Sequence, residues 1–265
     1  MQCHICSSPA RAWGQATVLE KYPVQYYQCE RCGFIQTEPP YWLDEAYSEA
    51  ITRSDLGLVT RNVVLARTTQ SIVLAFFNQQ ARYVDYGGGY GMFVRLMRDA
   101  GFDYYRLDKY CANLFAAGFD ADESGRSRYE LLTAFEVFEH LAQPLAEIQK
   151  MLSLSRNLLF STRLAPSPAP DLNTWWYYGL DHGQHVAVYT RQSLGLLARQ
   201  FGLNFYSDNR TLHLLTEKRL PGALFKLVAL TGRWSWGWRV LLTGRLRSKS
   251  LLADDYYALT GRRLT

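Results

Sequence analysis

The sequence predicts an α/β fold: a Rossmann-like sheet flanked by a small N-terminal metal-binding module and a C-terminal helical tail. Three observations carry that prediction. Between Ala81 and Asp108 a strand-forming stretch, Tyr83-Val84-Asp85-Tyr86, leads through a glycine turn, Gly87-Gly88-Gly89-Tyr90-Gly91, into apolar residues at helical spacing and a second strand, the pattern of a nucleotide-binding βαβ unit. Strand-like and helix-like segments then alternate as far as Thr216, as a parallel sheet covered by helices requires. Ahead of the unit lie two Cys-x-x-Cys pairs separated by 22 residues.

A chain of 265 residues with 48% hydrophobic content can bury one large core with satellites. It has no internal repeat, no apolar run long enough to span a membrane and no charged-then-apolar leader, so a cytoplasmic location is the expectation. Net charge is +5. Lys218 to Thr265 holds a local +8, which leaves −3 for the preceding residues, the difference between +5 and +8. The basicity belongs to the tail.

In chain order, Cys3, Cys6, Cys29 and Cys32 come first. Two tight turns, each presenting two thiolates, can close a tetrahedral zinc site, and four protein ligands leave no open position, so the metal is expected to be structural. A redox role for either pair is the alternative, and His4 reads as a bystander. Pro39-Pro40 closes this module, residues 1–40. The main domain is expected over 41–217, opening with the aromatic stretch Tyr41 to Tyr47 and one or two helices between Leu56 and Phe77.

In the βαβ unit, Phe93, Leu96, Met97 and Ala100 recur at helical spacing, and Gly101 supplies the C-cap. Glycines let a ligand approach the backbone, and the following helix offers unpaired N–H groups. Asp108, at the end of the second strand, is placed to accept two hydrogen bonds from a ribose diol. The spacing excludes two phosphate readers: Met92 stands where a dinucleotide fingerprint needs glycine, and no Gly-Lys-Ser/Thr follows the turn. Asp85 before the turn also argues against a phosphate and suits a cationic amine.

This strand-Asp-x-glycine-loop-helix-strand-Asp sequence resembles motif I and the next acidic position of the class I S-adenosylmethionine methyltransferases. The resemblance implies a seven-stranded methyltransferase sheet, with Gly87, Gly88, Gly89 and Gly91 against the methionine part of S-adenosylmethionine and Asp108 on its ribose. A glycine-rich turn of some other α/β protein is the alternative. Two Cys-x-x-Cys pairs, then Leu43-Asp44-Glu45-Ala46-Tyr47, a helix and motif I together resemble a zinc-knuckle subgroup that includes sugar C-methyltransferases of deoxysugar pathways and relatives in surface-glycan gene sets. The resemblance covers roughly Cys3 to Thr216.

Further along, a helix is expected over Tyr110 to Ala117, with Cys111 buried on it, and the loop Phe119 to Glu123 near adenine. A strand over Tyr129 to Phe135 runs into Glu136-Val137-Phe138-Glu139-His140, which copies the family's E-V-x-E-H segment at the ligand-binding edge of the sheet. Glu136 is assigned to the cofactor. Glu139 and His140 are cleft candidates, with helix capping and a hydrogen-bonded core histidine as the structural alternatives. A helix from Pro144 through Leu152 and a strand over Asn157 to Ser161 follow.

Residues 163–190 form a long insertion rich in proline and aromatics, containing Trp175, Trp176, Tyr177, Tyr178, His182 and His185. A loop of this length in a compact domain is usually functional, and its aromatic density argues against disorder. It is expected to cover the substrate. His182 or His185 is the expected base, assisted by Tyr177 or Tyr178, with His140 next in line. A helix over Arg191 to Phe201 and a hairpin, Leu203 to Tyr206 with Thr211 to Thr216, complete the expected seven strands.

Residues 218–265 form the basic, Trp-rich tail. Tryptophan with arginine on an amphipathic helix fits an anionic lipid interface, so peripheral membrane contact through 218–249 is one expectation; a helical pair packed back on the domain is the other. The predicted activity is methyl transfer from S-adenosylmethionine to a small molecule, a sugar or surface-glycan precursor by the resemblance. The rivals are a nucleic-acid methyltransferase, disfavoured because the knuckles and the insertion hold few basic residues, and a methyltransferase-like binding protein without turnover.

Overall fold

A computed structural model describes residues 1–48, 55–121, 128–244 and 249–264. Its strands are β1 (Ala10–Val18), β2 (Tyr22–Cys29), β3 (Ile35–Thr37), β4 (Arg82–Tyr86), β5 (Asp103–Leu107), β6 (Leu131–Ala134), β7 (Asn157–Ser161), β8 (Ala187–Val188), β9 (Asn204–Ser207) and β10 (Leu212–Thr216). The α-helices are α1 (Leu43–Ala46), α2 (Leu58–Phe76), α3 (Met92–Asp99), α4 (Pro144–Leu154), α5 (Arg191–Gln200), α6 (Gly222–Thr231), α7 (Ser235–Thr243) and α8 (Leu252–Thr260). One sheet has the order β5-β4-β6-β7-β10-β9 and the other β1-β2-β3-β8.

The large sheet has six strands among the described residues, not the seven expected. A further strand beside β5 is reduced to one parallel bridge, Arg106 with Asp120. Arg106 N–H donates to the Phe119 carbonyl (2.8 Å) and Ala121 N–H to that of Arg106 (2.7 Å). Two bonds do not make a strand. The helix expected over Tyr110 to Ala117 is also absent, because Asp108 and Asn113 capture its backbone: Asp108 Oδ1 accepts from the N–H of Tyr110 and Cys111, and Asn113 Oδ1 from that of Ala116. Aspartate and asparagine side chains compete with helix in this way. Cys111 therefore lies half-buried on a loop. Residues 122–123 of the expected adenine loop and 245–248 of the basic run lie outside the described residues.

The chain divides into two compact units. The first combines Met1–Thr52, Phe135–Leu152 and Leu159–Lys218. In it β1 and β2 form an antiparallel hairpin, β3 adds to β2, and β8, from the insertion, adds to β3. The insertion thus shares a core with the N-terminal module: Val18, Val24, Tyr26, Trp42, Leu172, Tyr177, Tyr178 and Val186 form one buried cluster. Trp42 Nε1 donates to the Gly183 carbonyl (2.7 Å). Helix α5 starts on a reciprocal cap, in which Thr190 Oγ1 accepts from Ser193 N–H (3.0 Å) and Ser193 Oγ from Thr190 N–H (2.9 Å).

The second unit combines Arg53–Ala134, Ser153–Leu158 and Arg219–Thr265. Here β4 pairs in parallel with β5 and β6, and Tyr83, Val84, Tyr104, Leu131 and Leu132 are fully buried. Gly101, at φ 86, ends the helical turn after α3, as the sequence suggests. The tail helices pack on this unit. Ser71 Oγ donates to the Gly232 carbonyl (3.0 Å), the Phe76 ring lies tilted 6.3 Å from that of Phe225, and α8 docks through Asp255 on Arg98. Arg98 Nη2 and Nε grip Asp255 at 2.6 and 2.9 Å while Nη1 donates to Asp103 and the Tyr104 carbonyl. Among the described residues no helix is long and apolar enough to cross a membrane.

Candidate active site

The glycine turn leaves β4 in the second unit. Gly87, Gly89 and Gly91 take φ of 69, 53 and 85, which L side chains rarely adopt. At Gly88 the constraint is space: a Cβ would lie 2.8 Å from Asp85 Oδ2. At Gly91 it would meet Asn113 Oδ1 at 2.6 Å. The turn is held from outside by Arg106, whose Nε donates to the Gly89 carbonyl (2.6 Å) and whose Nη1 donates to Asp120 (2.8 Å), with a further bond to the Cys111 carbonyl. An arginine inside an otherwise apolar, aromatic strand was the visible signal for this residue, and the sequence reading passed over it.

Asp85 is buried and accepts a hydrogen bond from Thr133 Oγ1 (2.6 Å). Burial pushes its carboxyl up from the usual 3.8 to about 7; Thr133 and Arg106 oppose that shift and Asp108 adds to it. A nearby cation would restore the charged form. Asp108 closes the turn: Oδ2 accepts from Gly89 N–H (2.9 Å), and Oδ1 from the N–H of Tyr110 and Cys111 (both 2.8 Å). Since a carboxylate offers about four acceptor positions, these bonds leave room for one more donor. Asp108 therefore organises the loop as well as being available to a hydroxyl.

The remaining candidates lie in the first unit. Glu136 has φ 53, in the left-handed region, and is pinned reciprocally: its N–H donates to Ser161 Oγ (2.8 Å), and that hydroxyl donates to Glu136 Oε1 (2.5 Å). A non-glycine residue held there costs of order 1–3 kcal/mol and marks a candidate functional position. A 3₁₀ turn over Phe138–His140 follows. Glu139 is fully buried, and neither carboxyl oxygen reaches a hydrogen-bond donor. Its nearest hydroxyls, Tyr177 and Thr162, bond to each other at 3.0 Å and favour its charge only weakly; burial dominates and raises its carboxyl to about 8, with Glu136 adding to the shift.

Three histidines converge beside it. His140 and His185 rings lie 5.0 Å apart, and those of His185 and His182 lie 4.7 Å apart. Gly179 makes the approach possible, since a Cβ there would lie 2.5 Å from His182 Nε2. Nδ1 of His140 meets the Tyr47 hydroxyl (2.8 Å), and Nδ1 of His185 meets the Tyr177 carbonyl (2.7 Å). Burial, then the neighbouring imidazoles, lowers His140 well below its usual pKa; burial and His182 take His185 to about 4. Both rings are neutral at physiological pH. His182 Nδ1 accepts from Gln184 N–H (3.1 Å). Tyr47, in the stretch Leu43 to Tyr47, was not foreseen as part of this group.

The two tyrosines are less available. Tyr178 is buried, with its hydroxyl donated to the Pro170 carbonyl (2.9 Å). The Tyr177 hydroxyl accepts from Arg163 N–H (2.8 Å) and pairs with Thr162, while its ring packs on His185. They shape and orient the group. Trp176 is 70% exposed, with the Arg163 guanidinium 5.3 Å from its ring centroid.

The four N-terminal cysteines are free thiols gathered in one cluster. Their Sγ atoms lie 3.6 Å (Cys3–Cys32), 3.5 Å (Cys6–Cys29) and 3.6 Å (Cys6–Cys32) apart, too far for disulfides and near the ~3.8 Å edge of a tetrahedron with zinc–sulfur bonds of about 2.3 Å. Backbone N–H groups of Ile5 and Cys32 donate to Cys3 and Cys29 sulfurs (3.4 Å each). The donor set fits a four-thiolate metal.

Residues 60–207, more than half of the chain, match the family model described as methyltransferase domain. The chain belongs to the methyltransferase domain family, a family of S-adenosylmethionine-dependent enzymes. No curated protein sequence matches it. Among solved structures it is similar to the 1,6-didemethyltoxoflavin-N1-methyltransferase of Burkholderia thailandensis, with 13% identity, a TM-score of 0.48, and 72% of this chain and 93% of that one covered. It is also similar to CalO1, a methyltransferase in calicheamicin biosynthesis, with 15% identity, a TM-score of 0.45 and 67% of this chain covered. The plantazolicin methyltransferase BpumL is similar at 11% identity and a TM-score of 0.46, with 68% of this chain and 95% of that one covered. The chain spans 60% of the length of CalO1 and 62% of that of TnmH, another similar structure.

Proposed function

We propose that this protein transfers the methyl group of S-adenosylmethionine to a small-molecule acceptor, a nucleotide-linked sugar or surface-glycan precursor. The observation that carries the reading is the left-handed glycine turn backed by two acids, Asp85 and Asp108. Open backbone suits the methionine part, Asp85 suits its cationic end and Asp108 retains an acceptor position for a ribose hydroxyl. Glu136, strained beside Ser161, is the third residue assigned to the donor.

In the reaction the acceptor's oxygen or carbon nucleophile attacks the methyl carbon in line. The new bond forms as the sulfur–carbon bond breaks, sulfur keeps the electron pair, and S-adenosylhomocysteine leaves as a neutral thioether. The acceptor's proton goes to the histidine group, to His182 or His185. A neutral imidazole can accept a proton, and the lowered pKa of His185 keeps that ring unprotonated. Trp176, exposed although the Arg163 guanidinium lies over its ring, would be available to a sugar ring. Zinc held by Cys3, Cys6, Cys29 and Cys32 would be structural, staking the N-terminal module through Cys32, whose carbonyl accepts from Thr190 Oγ1 (2.5 Å). The setting is cytoplasmic, with peripheral lipid contact through 218–249, where Leu227, Trp234, Trp236 and Leu241 are exposed.

The test is incubation with S-adenosylmethionine and a panel of nucleotide-linked keto-deoxysugars and hydroxy-sugars, read by mass spectrometry. A methylated sugar supports the reading. Binding of S-adenosylmethionine with methylation only of acceptors outside that panel removes the sugar assignment, and no binding of S-adenosylmethionine removes the activity.

A further inference from the structure

We infer that Glu139, His140 and His185 form a second metal site, distinct from the cysteine cluster, that takes a first-row divalent transition cation. One ligand atom from each of these three residues lies within 4.8 Å of the others. All three belong to the first unit, so the juxtaposition is local to one packed body.

The chemistry of each group agrees. Glu139 is fully buried, with 0% of its surface in solvent, and neither oxygen is in hydrogen-bond geometry with a partner, the Tyr177 and Thr162 hydroxyls being near enough only to oppose slightly the rise of its pKa. Burying an unsatisfied carboxyl costs free energy that a cation would recover. The other buried carboxylates among the described residues show the contrast: Asp255 has Arg98, Asp208 has three backbone N–H groups, and Asp85 has Thr133. Each histidine has one ring nitrogen committed and one left over. The bond from His185 Nδ1 to the Tyr177 carbonyl fixes the proton on Nδ1 and leaves the lone pair on Nε2; the Tyr47 hydroxyl engages His140 Nδ1, and when it accepts from that nitrogen the lone pair of His140 is likewise on Nε2. Neither Nε2 has a hydrogen-bond partner among the described residues. Metal-bound histidines characteristically engage their other nitrogen in such a bond, which orients the ring.

Two imidazoles and one carboxylate suit zinc, cobalt, iron or manganese, whereas magnesium and calcium prefer all-oxygen shells. Three protein ligands leave coordination positions open. Those positions would take oxygen donors, so an acceptor bearing a hydroxyl or carbonyl oxygen is the class of ligand the site would orient. That last step rests on the methyl-transfer reading; the metal site does not. With His185 engaged as a ligand, His182 is the histidine left to receive a proton.

The experiment uses the full chain carrying its native cysteine-bound metal, titrated with cobalt(II) alone and followed by calorimetry and absorption. Cobalt at the cysteines would produce intense sulfur-to-metal charge-transfer bands; cobalt at the inferred site would not. The expected result is one additional equivalent bound without those bands, raising the thermal midpoint. Glu139→Gln and His185→Ala should abolish that equivalent and the midpoint shift. Tyr47→Phe, which removes the hydroxyl bonded to His140 and keeps the ring, should weaken binding roughly tenfold, as loss of outer-shell partners does. Metal-free Glu139→Gln should be at least as stable as the metal-free parent, because the amide replaces a buried unpaired acid. Absence of the extra equivalent, or unchanged cobalt affinity in Glu139→Gln and His185→Ala, overturns the inference. If those two variants fail to fold, unchanged affinity in Tyr47→Phe overturns it. Calorimetry with S-adenosylmethionine on the same samples reports separately on the methyl-transfer reading.

Discussion

Replacing Asp85 by asparagine should stabilise the protein at high pH and hardly at all in acid. In the folded protein burial raises this carboxyl from 3.8 to about 7. At 1.36 kcal/mol per pH unit, that gap corresponds to about 4 kcal/mol. The folded pKa is raised, so the unfolded chain loses its proton first. Stability associated with the neutral acid is fully present below about pH 3.8 and is lost as the pH climbs to about 7, above which the loss levels off. Asparagine keeps an acceptor for Thr133 Oγ1 and never ionises. The advantage of Asp85→Asn should therefore grow by about 3 kcal/mol between about pH 5 and about pH 8, two of those pH units lying below the folded pKa. The same variant loses the charge that faces a cationic ligand, so affinity for S-adenosylmethionine should fall in Asp85→Asn and, in the parent, rise with pH through about 7. Urea unfolding of both proteins across that range, with calorimetry at each pH, makes the measurement. A stability difference that stays constant from pH 5 to 8 refutes the reasoning, because it would mean that Asp85 ionises in the fold as it does in the open chain.

Metal analysis of the purified protein should give about one tightly held zinc per chain at the cysteine cluster, and Cys29→Ser should release it and destabilise the N-terminal module; freely titrating thiols in the native protein contradict this. Asp108→Ala should weaken S-adenosylmethionine binding by roughly 1.5–3 kcal/mol and also lower stability, since three backbone N–H groups lose their acceptor; unchanged affinity by calorimetry would place the ribose elsewhere. Asp255→Ala leaves buried Arg98 without its bidentate partner and should cost about 3–5 kcal/mol in chemical denaturation, with hydrogen exchange showing release of α8. His182→Ala or His185→Ala, whichever removes the base, should lower turnover by about 10²- to 10⁴-fold and leave donor affinity nearly intact; full turnover in both directs attention to Glu136, Glu139 and His140.

The glycine turn and its two flanking acids were legible because they are local. Asp85, Gly87 to Gly91 and Asp108 fall within 24 positions, and strand alternation, glycine and helical spacing all act over such distances. The cysteine pairs were legible for the same reason, each turn being closed by its own spacing. The failures have physical causes of equal clarity. Tyr110 to Ala117 has helix-compatible composition, but Asp108 and Asn113 take the backbone donors that would open the helix. The hairpin β1–β2 was not foreseen because Ala10–Val18 buries residues irregularly, with a register shift between Ala12 and Gly14. The packing of the insertion was not foreseen either: proline and aromatics cluster in it, and the sequence does not show that β8 adds to β3 or that Leu172, Tyr177 and Tyr178 enter the core of the N-terminal module. Partners more than a hundred residues apart, such as Trp42 with Gly183, leave no periodic trace. Tyr47 and His140 likewise meet only in the fold.

The buried histidines show why hydrogen-bond accounting separates function from structure better than titration does. His213 is fully buried and His185 partly buried, and burial lowers both to about 4. By that measure they are alike. Their bonds differ: His213 pairs Nδ1 with Ser207 Oγ at 2.9 Å and Nε2 with the Thr162 carbonyl at 3.0 Å, so the ring has no capacity left. His185 spends Nδ1 on the Tyr177 carbonyl and has Nε2 in hand beside Glu139. A fold selected for stability alone would satisfy such groups or replace them with apolar side chains of similar volume, since an unpaired buried polar group costs about 1–3 kcal/mol. Glu139, His140 and His185 retain unspent valence at one place in the first unit, next to a glutamate held in a left-handed conformation three residues earlier. Concentrated cost of this kind is what a binding or catalytic site leaves in a structure, and it is why the proposed acceptor chemistry is assigned to these side chains rather than to the tyrosines, whose hydroxyls are already engaged.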